Sequence, residues 1–199
     1  MKGDKLTMPH KFNYKGKCKL DNEERRKILP PEKILAEFGL GEKDVMADIG
    51  CGIGYFTLSA SKIVGNGGRV FAMDIVPQMI QEVKVKIEEN NISNVETVLT
   101  EENDLKLESG KVTFAFMCAM LHEVENKEKF LNEVKRIMVS NGRIAVVEWK
   151  KSSDKMGPPV EDRLEEADLT KKLDELGFSD ILSIDMGRDF YGITSQKSS

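Results

Sequence analysis

Residues 45–56 read VMADIGCGIGYF, and single residues separate the three glycines of this stretch, Gly50, Gly52 and Gly54. A short apolar run precedes the glycines and a helix-like pattern follows, so the stretch predicts a strand, a tight turn and a helix. Glycine permits tight turns and lets backbone amides approach a ligand closely. The helix start adds unpaired N–H groups, so the turn indicates a ligand site.

The spacing of the glycines narrows the choice of ligand. Dinucleotide-binding turns read G-x-G-x-x-G, whereas the third glycine here comes one residue early. Asp48, two residues before Gly50, would repel a pyrophosphate but would tolerate a ligand that carries an ammonium and a sulfonium. Both features speak against a nicotinamide-dependent oxidoreductase. A plain strand–helix turn without a ligand is the alternative.

A second carboxylate favours a ligand with a ribose. Asp74 ends the next strand-like run, 74 − 54 = 20 residues after Gly54. A ribose-binding acid typically stands about 20 residues beyond such a turn. The alternative is that Asp74 caps the helix that begins near Pro77, and the two roles are compatible.

Strand-like and helix-like segments alternate from residue 43 onward. This alternation favours parallel strands with helices on both faces of the sheet, and the last two apolar runs flank a polar turn, as in an antiparallel hairpin. The predicted strands are residues 45–49, 69–74, 95–100, 113–118, 143–149, 181–185 and 190–194, and the predicted helices between them are 55–64, 77–89, 127–138 and one ending near 176. The pair Asn141–Gly142 is predicted to mark the exit from the helix over 127–138. The predicted fold is therefore α/β and Rossmann-like.

Residues 1–28 are predicted to form an N-terminal arm or lid with one short helix, and residues 29–199 a ligand-binding domain. The first 20 residues contain six lysines and lack clear periodicity. A solvated tail is the alternative. Asp21 and Glu24 are predicted to form a capping box at the start of the short helix.

The composition argues against several kinds of partner. The net charge is −4, whereas duplex-binding proteins usually have a basic domain, so no nucleic acid is expected. Three cysteines and two histidines show no metal-ligand spacing, so no metal site is predicted, and free thiols fit a cytoplasmic location. No apolar run reaches the roughly 18 residues that span a bilayer, so membrane insertion is not expected. The oligomeric state is left open.

The glycine turn, Asp74 and further segments together resemble the class I S-adenosylmethionine-dependent methyltransferases, over about residues 29–194. Residues 45–56 are similar to the first motif of that family, 68–75 (GRVFAMDI) to the second, and 113–122 (TFAFMCAMLH) to the strand beside the methyl-transfer centre. The nearest resemblance is to ubiquinone/menaquinone-biosynthesis C-methyltransferases and arsenite methyltransferases. It implies a seven-stranded sheet with an antiparallel last strand, S-adenosyl-L-methionine as cofactor and S-adenosyl-L-homocysteine as product.

The resemblance also implies which residues bind the cofactor. Asp48, Gly50 and Gly52 are expected to line its methionine half, Asp74 to bind the ribose, and Ile75 to pack on the adenine. The full predicted set is Asp48, Gly50, Cys51, Gly52, Gly54, Asp74, Ile75, Glu101, Glu102 and Met117.

Two of these contacts involve the cofactor's amino groups. Met117 is expected to offer its carbonyl to the amino group of the methionine half. Glu101 is expected at the adenine amino group with the backbone of Glu102, but the family usually has aspartate there. The contact is therefore left open among Glu101, Glu102 and Asp104.

A sulfonium methyl group is already a strong electrophile. An enzyme that transfers it therefore mainly has to align the nucleophile with it. A base helps only if the nucleophile carries a proton. His122 follows the fourth predicted strand and is the candidate base or substrate contact, since imidazole accepts protons near neutral pH; a solvent-exposed histidine is the alternative. The other candidate substrate contacts are His10, Tyr14, Met120, Glu123 and Trp149.

These observations predict methyl transfer by in-line displacement onto a small molecule that the sequence leaves unidentified. The alternative is a non-catalytic S-adenosylmethionine-binding sensor or partner subunit. Cys18, Cys51 and Cys118 would make arsenic a candidate acceptor only if the arm folds over the site. Residues 118–121 (CAML) replace the Asn/Asp-Pro-Pro-Tyr/Phe signature of amine-methylating branches, which argues against the exocyclic amines of DNA bases.

Overall fold

Seven strands form one sheet within residues 14–151 and 157–199, the parts of the chain that the computed structural model describes. They are β1 (Val45–Ile49), β2 (Arg69–Asp74), β3 (Val95–Leu99), β4 (Val112–Cys118), β5 (Met138–Trp149), β6 (Phe178–Asp185) and β7 (Phe190–Lys197). Their order is β3-β2-β1-β4-β5-β7-β6. β1 to β5 are parallel, and β7 is antiparallel to both of its neighbours. The predicted fold class is thereby confirmed.

The α-helices of the described residues are α1 (Glu23–Ile28), α2 (Pro31–Glu37), α3 (Thr57–Val64), α4 (Pro77–Glu89), α5 (Lys127–Ile137) and α6 (Glu166–Glu175). Pro31 and Pro77 occupy the first turns of α2 and α4, where the missing N–H of proline removes no helical hydrogen bond. In residues 14–151 and 157–199, no helix combines the length and the apolar character needed to cross a bilayer.

The core lies on both faces of the sheet, because residues along each strand point alternately to opposite sides. On β4, Phe114 and Phe116 pack on one face with α2 and α3, while Ala115 and Met117 pack on the other face with α5 and α6. The inner strands β1, β2, β4 and β5 are consequently apolar on both sides, which explains their nearly continuous hydrophobic runs in the sequence.

The start of β5 differs from the prediction. The sequence Asn141–Gly142 was predicted to end the preceding helix, but α5 ends at Ile137 and both residues lie inside β5. Asn141 has a φ of 60°, and the pairing of β4 with β5 shifts register between Val112 and Phe114. The turn-forming pair therefore introduces an irregularity into a strand, and it does not mark the boundary between helix and strand.

Two helix starts also differ from the prediction. Asn22, and not Asp21, caps α1, because its side chain accepts a hydrogen bond from the backbone N–H of Arg25 (2.8 Å). The side chain of Asp21 instead pairs with the guanidinium of Arg26 (2.8 Å). The capping-box prediction is therefore wrong, because the cap stands one residue later and the residue three positions after it is Arg25, which cannot close a box. The helix predicted from residue 55 begins at Thr57, since the residues just before it complete the glycine turn.

The sheet has its switch point at β1, between β2 on one side and β4 on the other. Ligands of open α/β sheets bind at such points, outside the carboxyl ends of the strands. Asp48–Ile49, Asp74, Cys118 and Trp149 all stand at or next to these ends. The topology therefore collects the residues that the sequence singled out at one edge of the sheet.

Candidate active site

A cavity of about 680 Å³ opens at the carboxyl ends of β1, β2, β4 and β5. The glycine turn and the strand ends form its floor, and the arm and the segment after β5 form its walls. Many of the predicted site residues line it together, namely Asp48, Gly50, Cys51, Gly52, Asp74, Ile75, Glu101, Glu102, Met120, His122, Glu123 and Trp149. The cavity joins the predicted cofactor side to the predicted substrate side.

Other predicted residues lie elsewhere. Gly54 packs towards α4, where an added Cβ would lie 3.2 Å from Val83, and the side chain of Met117 is fully buried in the sheet. The Tyr14 hydroxyl donates to a carboxylate oxygen of Glu82 on α4 (2.5 Å). None of Gly54, Met117 and Tyr14 belongs to the cavity lining formed by the described residues. His10 lies outside the described residues. The roles assigned to these four residues stay predictions.

The glycine turn needs glycine for two physical reasons. Gly50 and Gly52 have φ values of 73° and 54°, in the left-handed region that other residues avoid. A Cβ on Gly50 would lie 2.8 Å from Met120, and one on Gly52 would lie 3.1 Å from Leu20. Any other residue at these positions would strain the backbone and clash with its neighbours, and both glycines line the cavity.

Asp74 is tied to the glycine turn. Its carboxylate accepts hydrogen bonds from the backbone N–H groups of Gly52 and Val76, both at 2.9 Å. The cap of α4 is Val76, without a side-chain hydrogen bond, so Asp74 connects the turn to the segment before α4 and is not itself the cap. Burial raises the pKa of Asp74, and these backbone donors act in the opposite direction. The carboxylate is thus held in one orientation at the cavity wall.

Asp48 lies at the floor of the cavity and is buried. The hydroxyl of Thr57, in the first turn of α3, donates to its carboxylate at 2.5 Å. Burial raises the pKa of Asp48 to about 7, and the nearby Asp74 carboxylate acts in the same direction. A ligand cation at this position would favour the ionised form of Asp48 and lower its pKa.

His122 and Glu148 form a buried pair at the ends of two adjacent strands. The Nδ1 atom of His122 lies 2.9 Å from one carboxylate oxygen of Glu148, and the His122 backbone N–H donates to the other at 3.2 Å. The exposed fraction of His122 is 4%, and that of Glu148 is 0%. The predicted alternative, a solvent-exposed histidine, is wrong, because the imidazole is buried and its Nδ1 faces the Glu148 carboxylate on β5.

The charge of Glu148 controls the protonation of His122. Burial lowers the pKa of the imidazole, but the hydrogen bond to Glu148 and the charge of that carboxylate outweigh burial, so the pKa of His122 is raised. Nε2 is 3.8 Å from a carboxylate oxygen of Glu123. With Nδ1 directed to Glu148, Nε2 is the ring nitrogen left to exchange a proton with a ligand.

The wall beyond His122 is aromatic. The Trp149 ring lies 4.1 Å from the Phe190 ring, and the guanidinium of Arg163 lies 5.5 Å from the Trp149 ring. Gly157, at a φ of 89°, approaches the indole so closely that a Cβ would lie 2.8 Å from it. Trp149 is therefore both part of the packing between β5 and β7 and part of the cavity wall.

The described part of the arm, residues 14–28, covers one side of the cavity. Leu20, Asn22, Arg25 and Ile28 line it together with the glycine turn. Lys17 forms an ion pair with Glu82 on α4, which attaches the arm to the domain. Sequence reasoning named the arm as a lid but missed Leu20 and Arg25, because nothing in a short basic segment marks which side chains face a cavity.

The acidic loop after β3 borders the cavity beside Ile75. Glu101 is exposed and pairs with Lys106 at 2.8 Å, and Asp104 pairs with the same lysine at 2.5 Å. Glu102 is half-buried and accepts the backbone N–H of Glu125 (3.1 Å). Glu101 and Glu102 line the cavity, whereas Asp104 does not belong to the lining described.

The cysteines do not form a metal site. Among residues 14–151 and 157–199, no group of three or more His, Cys, Asp or Glu side chains could hold a metal ion. Burial raises the pKa of Cys51 well above its usual value and that of Cys118 to about 12. Cys18 is exposed on the arm. The two thiols of the cavity are therefore protonated at neutral pH.

Fold and site together define a class: an α/β protein with a glycine turn and a strand-end carboxylate that line one cavity at the switch point of the sheet. A family model described as a methyltransferase domain matches residues 47–146. A crystal structure of a SAM dependent methyltransferase from Aquifex aeolicus superposes with a TM-score of 0.89 at 32% identity, covering 94% of this chain and 100% of that one. The chain belongs to the S-adenosylmethionine-dependent methyltransferase family, whose cofactor is S-adenosylmethionine.

Curated relatives match over part of their length. The arsenite methyltransferase of Halobacterium salinarum is 26% identical over 114 residues, which are 57% of this chain and 29% of that protein. A ubiquinone/menaquinone biosynthesis C-methyltransferase of Vibrio campbellii is 30% identical over 105 residues, 52% of this chain and 40% of that protein. The chain thus spans less than half the length of these relatives.

The raised pKa of His122 can be measured directly. We expect its ring, identified as the NMR resonance missing from His122→Asn, to titrate above about 6.5. In Glu148→Gln the midpoint should fall, because burial is then opposed mainly by the more distant charge of Glu123; Glu123→Gln is the matched control and should change the midpoint less. By linkage, the pair stabilises the fold below the ordinary histidine pKa and loses this contribution as pH rises through the raised pKa. A midpoint unaffected by Glu148→Gln would contradict this account.

Proposed function

We propose that the chain transfers the methyl group of S-adenosylmethionine to a small molecule bound in the same cavity. The observation that carries this proposal is the continuity of the cavity, which joins the glycine turn and Asp74 to His122 and Trp149. Ligand cavities of about 300–1,000 Å³ enclose drug-sized molecules, so about 680 Å³ suits a nucleoside with a small partner.

The residues present fit this cofactor. Gly50 and Gly52 line the cavity with backbone that carries no side chain, and Asp74 holds a fixed carboxylate for ribose hydroxyls. Asp48 supplies negative charge beside the turn, which suits a ligand with an ammonium and a sulfonium. When bound, S-adenosylmethionine supplies an electrophilic methyl group on sulfur.

The other proposed cofactor contacts are assigned from where each residue lies relative to the cavity. Ile75 is 44% exposed next to Asp74 and offers an apolar surface for the adenine. Glu101 or Glu102, in the loop that borders the cavity, receives the adenine amino group. Met117, one residue before the cavity wall on β4, contributes through its backbone carbonyl.

On the acceptor side, His122 holds or removes a proton at Nε2 while Glu148 keeps Nδ1 occupied. Trp149 and the arm exclude water and orient the acceptor. Tyr14 acts indirectly, because its hydrogen bond to Glu82 fixes the arm on α4.

The character of the wall favours an organic acceptor over arsenite. Trp149, Phe190 and Ile28 make the acceptor side apolar and aromatic. Arsenic binds thiolates, whereas Cys51 and Cys118 are held protonated by burial and Cys18 is exposed outside the lining described. An aromatic or otherwise apolar small molecule, as in the name of the ubiquinone/menaquinone relatives, suits this wall better.

Cofactor binding can be tested at the ribose contact. We expect Asp74→Ala to weaken S-adenosylhomocysteine binding by roughly 10–100-fold in isothermal titration, because ribose hydroxyls lose a charged acceptor. Glu96→Ala, which removes an exposed carboxylate on the next strand, is the control and should leave affinity unchanged. Equal affinity in Asp74→Ala and the wild type would remove Asp74 from the site.

Methyl transfer can be tested without knowing the acceptor. The protein is incubated with methyl-labelled S-adenosylmethionine and a cell metabolite extract, and mass spectrometry identifies what gains the methyl. His122→Ala is expected to lower turnover of the labelled product while leaving cofactor affinity within about twofold, because His122 lies on the acceptor side. Cofactor binding without any labelled product would instead support the non-catalytic sensor or partner subunit.

A further inference from the structure

Arg25 is a cation in the cavity that the proposed function leaves without a role. It lies on α1, and its guanidinium stands 5.2 Å from the Tyr55 ring, with Nη2 4.0 Å from the sulfur of Cys118. The Tyr55 hydroxyl donates to the carbonyl of Leu29 at 2.8 Å, and Leu29 is buried at the end of α1. The guanidinium of Arg25 is therefore close to two residues that are themselves held in the fold, Tyr55 and Cys118.

The hydrogen-bonding capacity of this guanidinium is not used up. Its Nε is buried and finds no acceptor in the part of the chain that the structure describes. Arg26, Arg69 and Arg143, in contrast, each pair with a carboxylate within 3.1 Å. A buried donor without an acceptor is unfavourable, so this arrangement is one that a ligand acceptor would complete.

We propose that Arg25 binds a carboxylate of a ligand in this cavity. A guanidinium presents parallel donors that match a carboxylate in shape and charge. This inference rests on the proposed function, because Arg25 reaches Cys118 at the end of β4 and lines the same cavity as the glycine turn, where the amino-acid half of the cofactor is expected.

The charges of the cavity suit a zwitterion. Asp48 lines the floor with a carboxylate, and Arg25 lines the wall with a guanidinium. The methionine half of the cofactor carries an ammonium and a carboxylate. The ammonium would therefore face Asp48, and the carboxylate would face Arg25. An acidic acceptor bound beside the cofactor would offer the same carboxylate chemistry, and the experiment separates these two sources.

The first measurement compares two probes by isothermal titration of the full chain. S-adenosylhomocysteine carries the amino-acid half, whereas 5′-methylthioadenosine keeps the nucleoside and sulfur but lacks it. If the cofactor is the source, Arg25→Gln weakens S-adenosylhomocysteine roughly 10–100-fold and leaves methylthioadenosine within twofold. Arg26→Gln, on the same helix but exposed and paired with Asp21, is the control and changes neither affinity. Arg25→Lys, which keeps the charge, gives an intermediate loss and serves if Arg25→Gln fails to fold.

The second measurement addresses the acceptor. The labelled products of the metabolite extract are separated on an anion-exchange resin. If S-adenosylhomocysteine affinity is unchanged in Arg25→Gln but label disappears from the retained acidic products, the acceptor supplies the carboxylate. The proposal is overturned if Arg25→Gln leaves both the S-adenosylhomocysteine affinity and the label in the acidic products unchanged. It is also overturned if Arg25→Gln weakens the binding of both probes equally. A wild-type chain that binds neither probe contradicts the proposed function itself.

Discussion

The glycine turn is held against the neighbouring strand by backbone hydrogen bonds, and the rest of the site depends on this attachment. The N–H groups of Gly50 and Cys51 both donate to the carbonyl of Met73, at 2.8 and 2.9 Å, and the next residue, Asp74, accepts from Gly52. The turn therefore cannot move without β2. These bonds hold the backbone of the turn, the Asp74 carboxylate and the floor of the cavity together.

The topology of the sheet brings together the residues on the proposed acceptor side of the site. β4 and β5 are adjacent and parallel, so their carboxyl ends bring His122 and Glu148 together although 26 residues separate them. A carboxylate buried on β5 would be costly alone, but it accepts hydrogen bonds from the His122 backbone and faces the imidazole. His122 of this pair lines the same cavity as the glycine turn and Asp74, as the proposed direct transfer between two bound molecules requires.

The sequence predicts those parts of the fold and the site that depend on residues close together in the chain. The glycine spacing, Asp48 and Asp74 lie within 27 residues of chain, and the apolar runs identified the strands because both faces of the sheet are covered. Tertiary contacts decided the rest. Glu148 looked like an ordinary strand residue, Arg25 like one charge in a basic segment, and Asn141–Gly142 like a helix end. Gly54 turns to α4, which the spacing of the glycines could not reveal.

The central claim is that the glycine turn and Asp74 form the nucleoside cradle. A crystal structure of the full chain soaked with S-adenosylhomocysteine tests it most directly. The account predicts both ribose hydroxyls within about 3 Å of the Asp74 carboxylate and the homocysteine half over Gly50 and Gly52. The nucleoside bound elsewhere on the protein, with the turn and Asp74 free of it, would contradict the account.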